Sequence, residues 1–430
     1  MEFEKLPIKS KQLPEGWMWV KLKNLLQQQQ HKIRLEKNII YTRLGVRWYA
    51  EGPFIKEAVK GSEIKGKDLY KVSVNEFIFS RLFAWKGSFG FISSFEDGMY
   101  VSNEFPSFKV DLTQIEPEFL WRLFSQPHIW QFIEERSLGS TKISRLRFKE
   151  ADLLALEIPL PPLLEQQAIA TALRTIRHAR QTTVQELEAA KELKRSLMRH
   201  LFTYGAVSVQ DAAAVELQET EIGKMPKDWK VKKVDELFES QLGKMLSDKA
   251  RNGLSPKLYL RNTNIQWGKI ETHDVYEMNF DEREQKKFQL NVGDALVCEG
   301  GDIGRTAIWN GELEECYFQK ALHRVRARSE NTTTLFFLHH MMNAFRYNKL
   351  YGDIAVKTTI AHLPGDKLKN LLFPLPPREE QNKITKLLQG IDSKISSLES
   401  RVSALDSLFQ SALHSLMTGR KRLVSTEVQA

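Results

Sequence analysis

The chain has little cysteine: Cys298 and Cys316 are the only two in 430 residues. Two cysteines make no disulfide framework and point to a reducing cytoplasm. Long apolar runs are also missing. The richest stretch, LFFLHHMMNAF, is interrupted by His339 and His340, and none approaches the roughly 18 to 20 residues of a membrane span. The opening MEFEKLPIKSKQLPEGW holds no apolar core of signal-peptide length. Catalytic motifs are scarce too. There is no GxxxxGK[ST] phosphate loop and no HExxH. The amino-methyltransferase signature of Asn or Asp, two prolines and an aromatic is absent, and PLPP has no polar residue to accept from a base amine. GGDIGR lacks dinucleotide-site glycine spacing and reads as a turn. His323, His339 and His340 show no ligand spacing with either cysteine, so no metal site is expected. The acidic residues form no paired motif of a metal-dependent nuclease. No catalytic residue, cofactor or metal is therefore expected in this chain, which reads as a binder.

What is present begins with charge. The formal net charge is +9 and the pI near 9.2, which leans towards an anionic partner such as nucleic acid or a membrane surface. With 42% hydrophobic and 27% charged residues the composition is that of a soluble globular protein. The length leaves room for two to four domains.

A tandem repeat settles the architecture. IPLPPLLEQQAIATAL at 158–173 returns as FPLPPREEQNKITKLL at 373–388, with eight of sixteen positions identical at an offset of 215. LPEGW at 13–17 returns as MPKDW at 225–229, and Tyr41 and Arg43 as Tyr259 and Arg261. VNEFIFS and VGDALVC share a cadence, and each leads into a glycine loop, KGSFG or GGDIG. Proline fixes φ and pushes its predecessor to extended geometry, so xPLPP is a stiff non-helical connector. Glu165 or Glu380 then falls in the first turn of a helix, where negative charge suits the dipole.

Both helices carry a heptad. The second steps through Ile384, Leu388, Ile391, Ile395, Leu398, Val402, Leu405, Phe409, Ala412 and Leu416. The first keeps the register with Ile169, Leu173, Ile176, Leu187, Ala190, Leu197 and Leu201, interrupted by Arg180, Thr183 and Lys194. A 3.5-residue period makes a supercoiled seam, and about 40 residues at 1.5 Å each give about 60 Å. The expected fold is α+β: two pseudo-twofold-related α/β domains separated by two long helices in an antiparallel coiled coil. The domains are 1–157 and 223–372. A connector plus long helix follows each, at 158–205 and 373–420, with a linker at 206–222 and a tail at 421–430. A seam for another protein's helix is the alternative to internal pairing.

Short polar, basic and aromatic clusters recur on expected loops. YTRLGVRWYAEG and YLRNTNIQWGK put Arg, Asn, Gln and Trp at one equivalent place, where Arg suits guanine edges and Asn or Gln adenine. SRLFAWKGSFG and EGGDIGR set a basic residue beside glycines that let backbone approach a phosphate. LGSTKISR and AVKTTIAH add hydroxyls and a lysine. The candidate nucleic-acid contacts in the first domain are Arg43, Arg47, Arg81, Lys86, Ser88, Asn103, Ser140, Thr141, Lys142 and Arg145. In the second they are Arg261, Asn262, Asn264, Gln266, Lys269, Arg305, Gln319, His323, Lys357, Thr358 and Thr359.

PLPPLLEQQAIATAL with LKRSLMRHLFTYG, and PLPPREEQNKITKLL with LFQSALHSLMTGR, resemble the two conserved regions of type I restriction–modification specificity subunits. TEIGKMPKDWKVKKVDELF and SNEFPSF resemble further segments of that family, and the likeness covers essentially the whole chain. The resemblance implies two target recognition domains, each reading half of an asymmetric bipartite double-stranded DNA site. It implies paired helices that act as spacer and dock two modification subunits. Those subunits would carry S-adenosylmethionine, methylate adenine N6 and engage restriction subunits in a bacterial or archaeal cytoplasm, with no membrane partner. The other readings are a coiled-coil scaffold without a DNA role and the specificity subunit of a methyltransferase-only or phage-defence system. A catalytic fusion would need a domain for which no motif remains.

Overall fold

The computed structural model describes residues 5–7, 13–64, 68–137, 147–251, 255–330, 332–347 and 362–423, with only the backbone at Lys249. The contacts divide into two units, Met1–Thr183 with Arg401–Ala430, and Val184–Ser400. Each unit holds one domain and half of each long helix.

In the first unit the entry strand Met18–Lys21 pairs antiparallel with Glu157–Leu160, Met18 opposite Leu160. Pro159 therefore lies inside a strand. The outer edge of Glu157–Leu160 is paired only at Glu157, bridged by Lys5, and beyond that bridge it accepts a residue without an N–H. Only Pro161 and Pro162 remain as connector before the helix Leu163–Tyr204. A four-stranded antiparallel sheet runs Leu26–Gln29, Ser107–Val110, Glu76–Phe79, Phe89–Phe91. Phe77, Phe79, Phe89 and Phe108 are wholly buried with Phe124 and Phe148, and Phe89 stacks on Phe124 at 4.7 Å. Aromatic burial on this scale dominates a core. A second sheet runs Lys32–Arg34, Asp68–Lys71, Tyr100–Val101, Ile40–Arg47, Gly52–Lys60, its third and fourth strands parallel. The pattern EPEFLWRLFSQPHIWQFIEER splits into helices Pro117–Leu123 and Pro127–Arg136. Each opens on a proline, whose missing N–H is unpaired at that position anyway.

The second unit repeats this plan. Lys230–Lys233 pairs with Leu372–Leu375, and a four-stranded antiparallel sheet runs Phe238–Leu242, Leu322–Ala327, Ala295–Cys298, Thr306–Ile308. The second sheet has three strands, Tyr276–Asn279, Pro256–Leu260 and Tyr317–Phe318, the last two again parallel. Strands occupy most of the runs FIFS, ALVC, TAIW and HRVRAR.

The long helices, Leu163–Tyr204 and Arg378–Met417, pair inside each unit. In the first unit Ile169 and Leu173, from the start of one helix, share a core with Phe409, Leu413 and Leu416 from the end of the other. In the second, Leu187 and Ala190 pack on Ile391, Ile395 and Leu398, and Leu201 shares a core with Ile384 and Leu388. The pairing is antiparallel. Ile176, Leu197, Val402 and Leu405 are half-buried along the seam. The polar interruptions have partners across it: Arg180 Nε meets Asp406 Oδ1 at 2.5 Å, and Lys194 Nζ meets Asp392 Oδ1 at 2.5 Å. Thr183 is buried and its hydroxyl donates to the Ala179 carbonyl at 2.8 Å.

The doubled Glu-Gln after each connector now has a reason. Trp17 Nε1 donates to Glu165 Oε2 at 3.1 Å, and Trp229 Nε1 donates to Glu380 Oε2 at 2.9 Å. The end of the opposite long helix closes on the same carboxylate. Arg422 donates to both oxygens of Glu165, at 2.6 and 2.8 Å, and the Ala206 N–H donates to Glu380 at 3.0 Å. Gln166 and Gln381 donate to the carbonyls of Pro161 and Pro376 at 2.8 and 3.0 Å. Gly205 and Gly419, at φ +80° and +65°, take the left-handed position that ends each helix.

Candidate nucleic-acid interface

In the first domain the hairpin Ile40–Arg47/Gly52–Lys60 turns at Trp48–Glu51, beside the turn at Lys86 and Gly87. Arg43 is half-buried, with Nη1 2.7 Å from Glu57 Oε1 on the facing strand. Arg47 is exposed, its guanidinium 5.1 Å over the Phe54 ring. Lys86 Nζ lies 3.8 Å from the Trp48 ring. Arg81 binds Glu150 and the Asn103 carbonyl, and Asn103 is exposed beside it. The hydrogen bond to the Glu150 carboxylate raises the Arg81 pKa and outweighs burial, which lowers it. Ser88 is buried and its hydroxyl donates to the Val46 carbonyl at 2.7 Å.

In the second domain the equivalent tip is the two-residue turn Trp267-Gly268 between Gln266 and Lys269. Arg261 lies 3.5 Å over the Tyr276 ring and 2.7 Å from Asp274, the counterpart of Arg43 and Glu57. Asn262 Nδ2 donates to the Gly300 carbonyl at 2.8 Å, and Arg305 donates to the Asn262 carbonyl at 2.9 Å. Asn264 is buried, accepts from the Arg261 N–H and donates to the carbonyls of Glu271 and Asp274. Gln266 and Gln319 are half-buried, and Lys269 is exposed, 3.4 Å from Glu271. His323 is buried against the Leu363 carbonyl, and burial lowers its pKa.

The structure thus gathers Arg47 and Lys86 at one tip and Gln266 and Lys269 at the other. It places Ser88, Asn264 and His323 inside, where their hydrogen bonds tie the loops rather than face a ligand. The interior offers each of them a backbone partner, and polar groups follow such partners when buried. Ser140, Thr141, Lys142, Arg145, Lys357, Thr358 and Thr359 lie outside the described residues. Sequence reasoning passed over Trp48 and Tyr49 as individual sites, although both were in the quoted cluster. Their signal was two adjacent aromatics between an arginine and a glycine turn.

Among the described residues no group of three or more His, Cys, Asp or Glu is placed to hold a metal ion, and no helix is long and apolar enough to cross a membrane. Burial pushes the Cys298 and Cys316 thiols up to about 11 and about 12, far from the lowered values of reactive cysteines.

Two copies of one α+β scaffold with different polar tips define a class, the two-domain recognition subunit. The chain belongs to the type I restriction modification DNA specificity family, whose domain model matches residues 14–192 and again 226–405. It is 22% identical over 426 residues, 96% of this chain and 95% of the other, to the chain assigned as the MjaX type I restriction enzyme specificity subunit of Methanocaldococcus jannaschii. It is 23% identical over 289 residues to the EcoKI specificity subunit of Escherichia coli K12, covering 62% of this chain and 59% of that one. The fold matches the type I S subunit of M. genitalium with a TM-score of 0.58 at 14% identity, over 95% of this chain and 97% of that one. It is a DNA-recognition component of a type I system rather than a catalytic one.

Proposed function

We propose that the two domains read two different halves of one asymmetric, bipartite site in double-stranded DNA. The observation that carries this is a shared strand order with different tips, Arg47-Trp48-Tyr49-Ala50 against Gln266-Trp267-Gly268-Lys269. Arginine and glutamine favour different base edges in the major groove, and a two-stranded ribbon is one of the elements that enters it.

The long helices dock two modification subunits, and restriction subunits join through those. Leu193 and Leu408, 215 residues apart at equivalent repeat positions, are 57% and 52% exposed. A single exposed leucine on each helix is ordinary surface; the repeat of the whole connector and helix supports two copies of one partner. The modification subunits carry S-adenosylmethionine and methylate adenine N6, and this chain carries no cofactor of its own. Reconstitution tests the reading. The chain with its modification subunits is expected to methylate adenine at one bipartite motif, and the purified chain alone to transfer no methyl group. Transfer by the chain alone would overturn the recognition-only role, and methylation without sequence preference would overturn the reading of a site.

A further inference from the structure

The turn at the tip of the first domain is strained where no hairpin requires it. Arg47 and Gly52 form the last pair of the hairpin, and Tyr49 and Ala50 within the turn have φ +58° and +56°. Residues with a Cβ are disfavoured there, and two-residue hairpin turns of this hand use Asn-Gly or Gly-Gly. Strain of this kind persists where the surroundings over-determine it, and it gathers at functional sites. The surroundings are built for it. The Tyr49 N–H donates to the Lys86 carbonyl and the Ala50 N–H to the Gly87 carbonyl, both at 2.8 Å.

What the strain presents is aromatic and largely uncovered. Tyr49 is 62% exposed and Trp48 39%. Each is backed by another ring: Trp130 lies 5.8 Å from Tyr49, and Phe83 lies 5.2 Å from Trp48. The two rings stand at 88° to each other. Arg47 and Lys86 flank them, and among the described residues neither cation is ion-paired to a carboxylate. Glu51 is the one acid in the turn. The second domain solves the same turn without strain. Gly268 takes the left-handed position at φ +75°, and the half-buried Trp267 is tied through its indole N–H to Asp302 at 2.7 Å.

Resting on the reading that the first domain binds DNA, we propose that Tyr49, backed by Trp130 and flanked by Trp48, is a wedge. It enters at one base step of the half-site, unstacks it and lies against a base face, while Lys86 holds a flanking phosphate and Arg47 reaches the edge of a neighbouring base. Apolar side chains that enter base steps act in this way elsewhere, and every base has a π-face to stack on.

The test uses the chain assembled with its modification subunits on a duplex carrying the methylated motif. 2-Aminopurine replaces each purine in and beside the first half-site in turn. Wild type is expected to raise the fluorescence several-fold at one step other than the methylated adenine, whose own rise reports base extrusion by the modification subunits and is not counted. Tyr49→Ala and Tyr49→Gly abolish the rise and weaken cognate binding about 5- to 150-fold, while Tyr49→Phe keeps both. Tyr49→Gly also relieves the left-handed backbone, so its Tm is not lowered, which separates lost stacking from lost folding. A wild-type complex that binds its motif with no rise at any step overturns the wedge. So does a Tyr49→Ala complex that keeps both the rise and the affinity, or one that loses a modification subunit while DNA contact is intact. A wild-type complex that selects no motif overturns instead the DNA reading beneath the proposal.

Discussion

His339 and His340 lie on the helix Thr334–Met341, with 1% and 2% of their surface exposed. Burial first, then repulsion from Lys194, lowers His339 to about 3. Burial also lowers His340 to about 3, against a hydrogen bond to the Leu372 backbone. Neither ring nitrogen of His339 has a hydrogen-bond partner among the described residues. The ordinary value is 6.5, so above that pH both rings are neutral whether folded or unfolded, and they add no pH dependence. Between about 6.5 and about 3 the unfolded chain takes up protons that the native one refuses. Stability therefore falls as pH falls, by about 1.4 kcal/mol per pH unit for each histidine. Melting curves from pH 7 to pH 5 are expected to show this decline, and a shallower one in His339→Leu. Equal slopes would contradict it. Residue-scale burial is also where the sequence was least legible. Ser88, Asn264 and His323 read from their neighbours as loop groups facing a ligand, and the packing turned them inward. Arg43 and Arg261 read as free cations, while their acids, Glu57 and Asp274, stand 14 and 13 residues further along. Spacing alone does not reveal a pair that only strand pairing or a returning loop brings together.

Elements were far more legible, because periodicity survives substitution. The 4-3 spacing from Ile384 to Leu416 marked the seam, and PLPP marked the helix starts. The strand at Glu157–Leu160 was not legible, since Pro159 argues against any strand other than an edge one, and the sequence does not show which strands lie at an edge. The interruptions in the first heptad looked like defects. Lys194 and Asp392 instead meet across the second unit's seam, with the lysine only 5% exposed. Removing one partner of a buried pair leaves a stranded charge, whereas replacing both with apolar groups of similar volume is often neutral or stabilising. Asp392 is 40% exposed in its side chain, which moderates the cost of losing it. Asp392→Leu is expected to cost about 2 to 3 kcal/mol, and Lys194→Leu/Asp392→Leu to return within about 1 kcal/mol of wild type. A double-mutant cycle in urea measures this. Additive costs with no coupling would show that the pair does not act as one.

At the scale of the whole molecule, repeats at an offset close to 215 made the duplication legible, and the matching four-stranded sheets follow from it. The tip conformations on which the proposed base reading rests, such as the left-handed Tyr49-Ala50 pair, were not legible. Positive φ at residues other than glycine leaves no mark in a sequence. The central claim is that each domain reads its own half-site through its own tips. Exchanging Lys230–Leu375 for the same segment of a relative with a different motif tests it most directly. These ends carry both strands of the closing pair together, and they leave Trp229 and Glu380, which bond at 2.9 Å, in place. Mapping methylated adenines in genomic DNA from cells with the exchanged subunit is the measurement. One half of the motif is expected to change to the donor's word, with the other half unaltered; a change in both halves, or in neither, would contradict the claim.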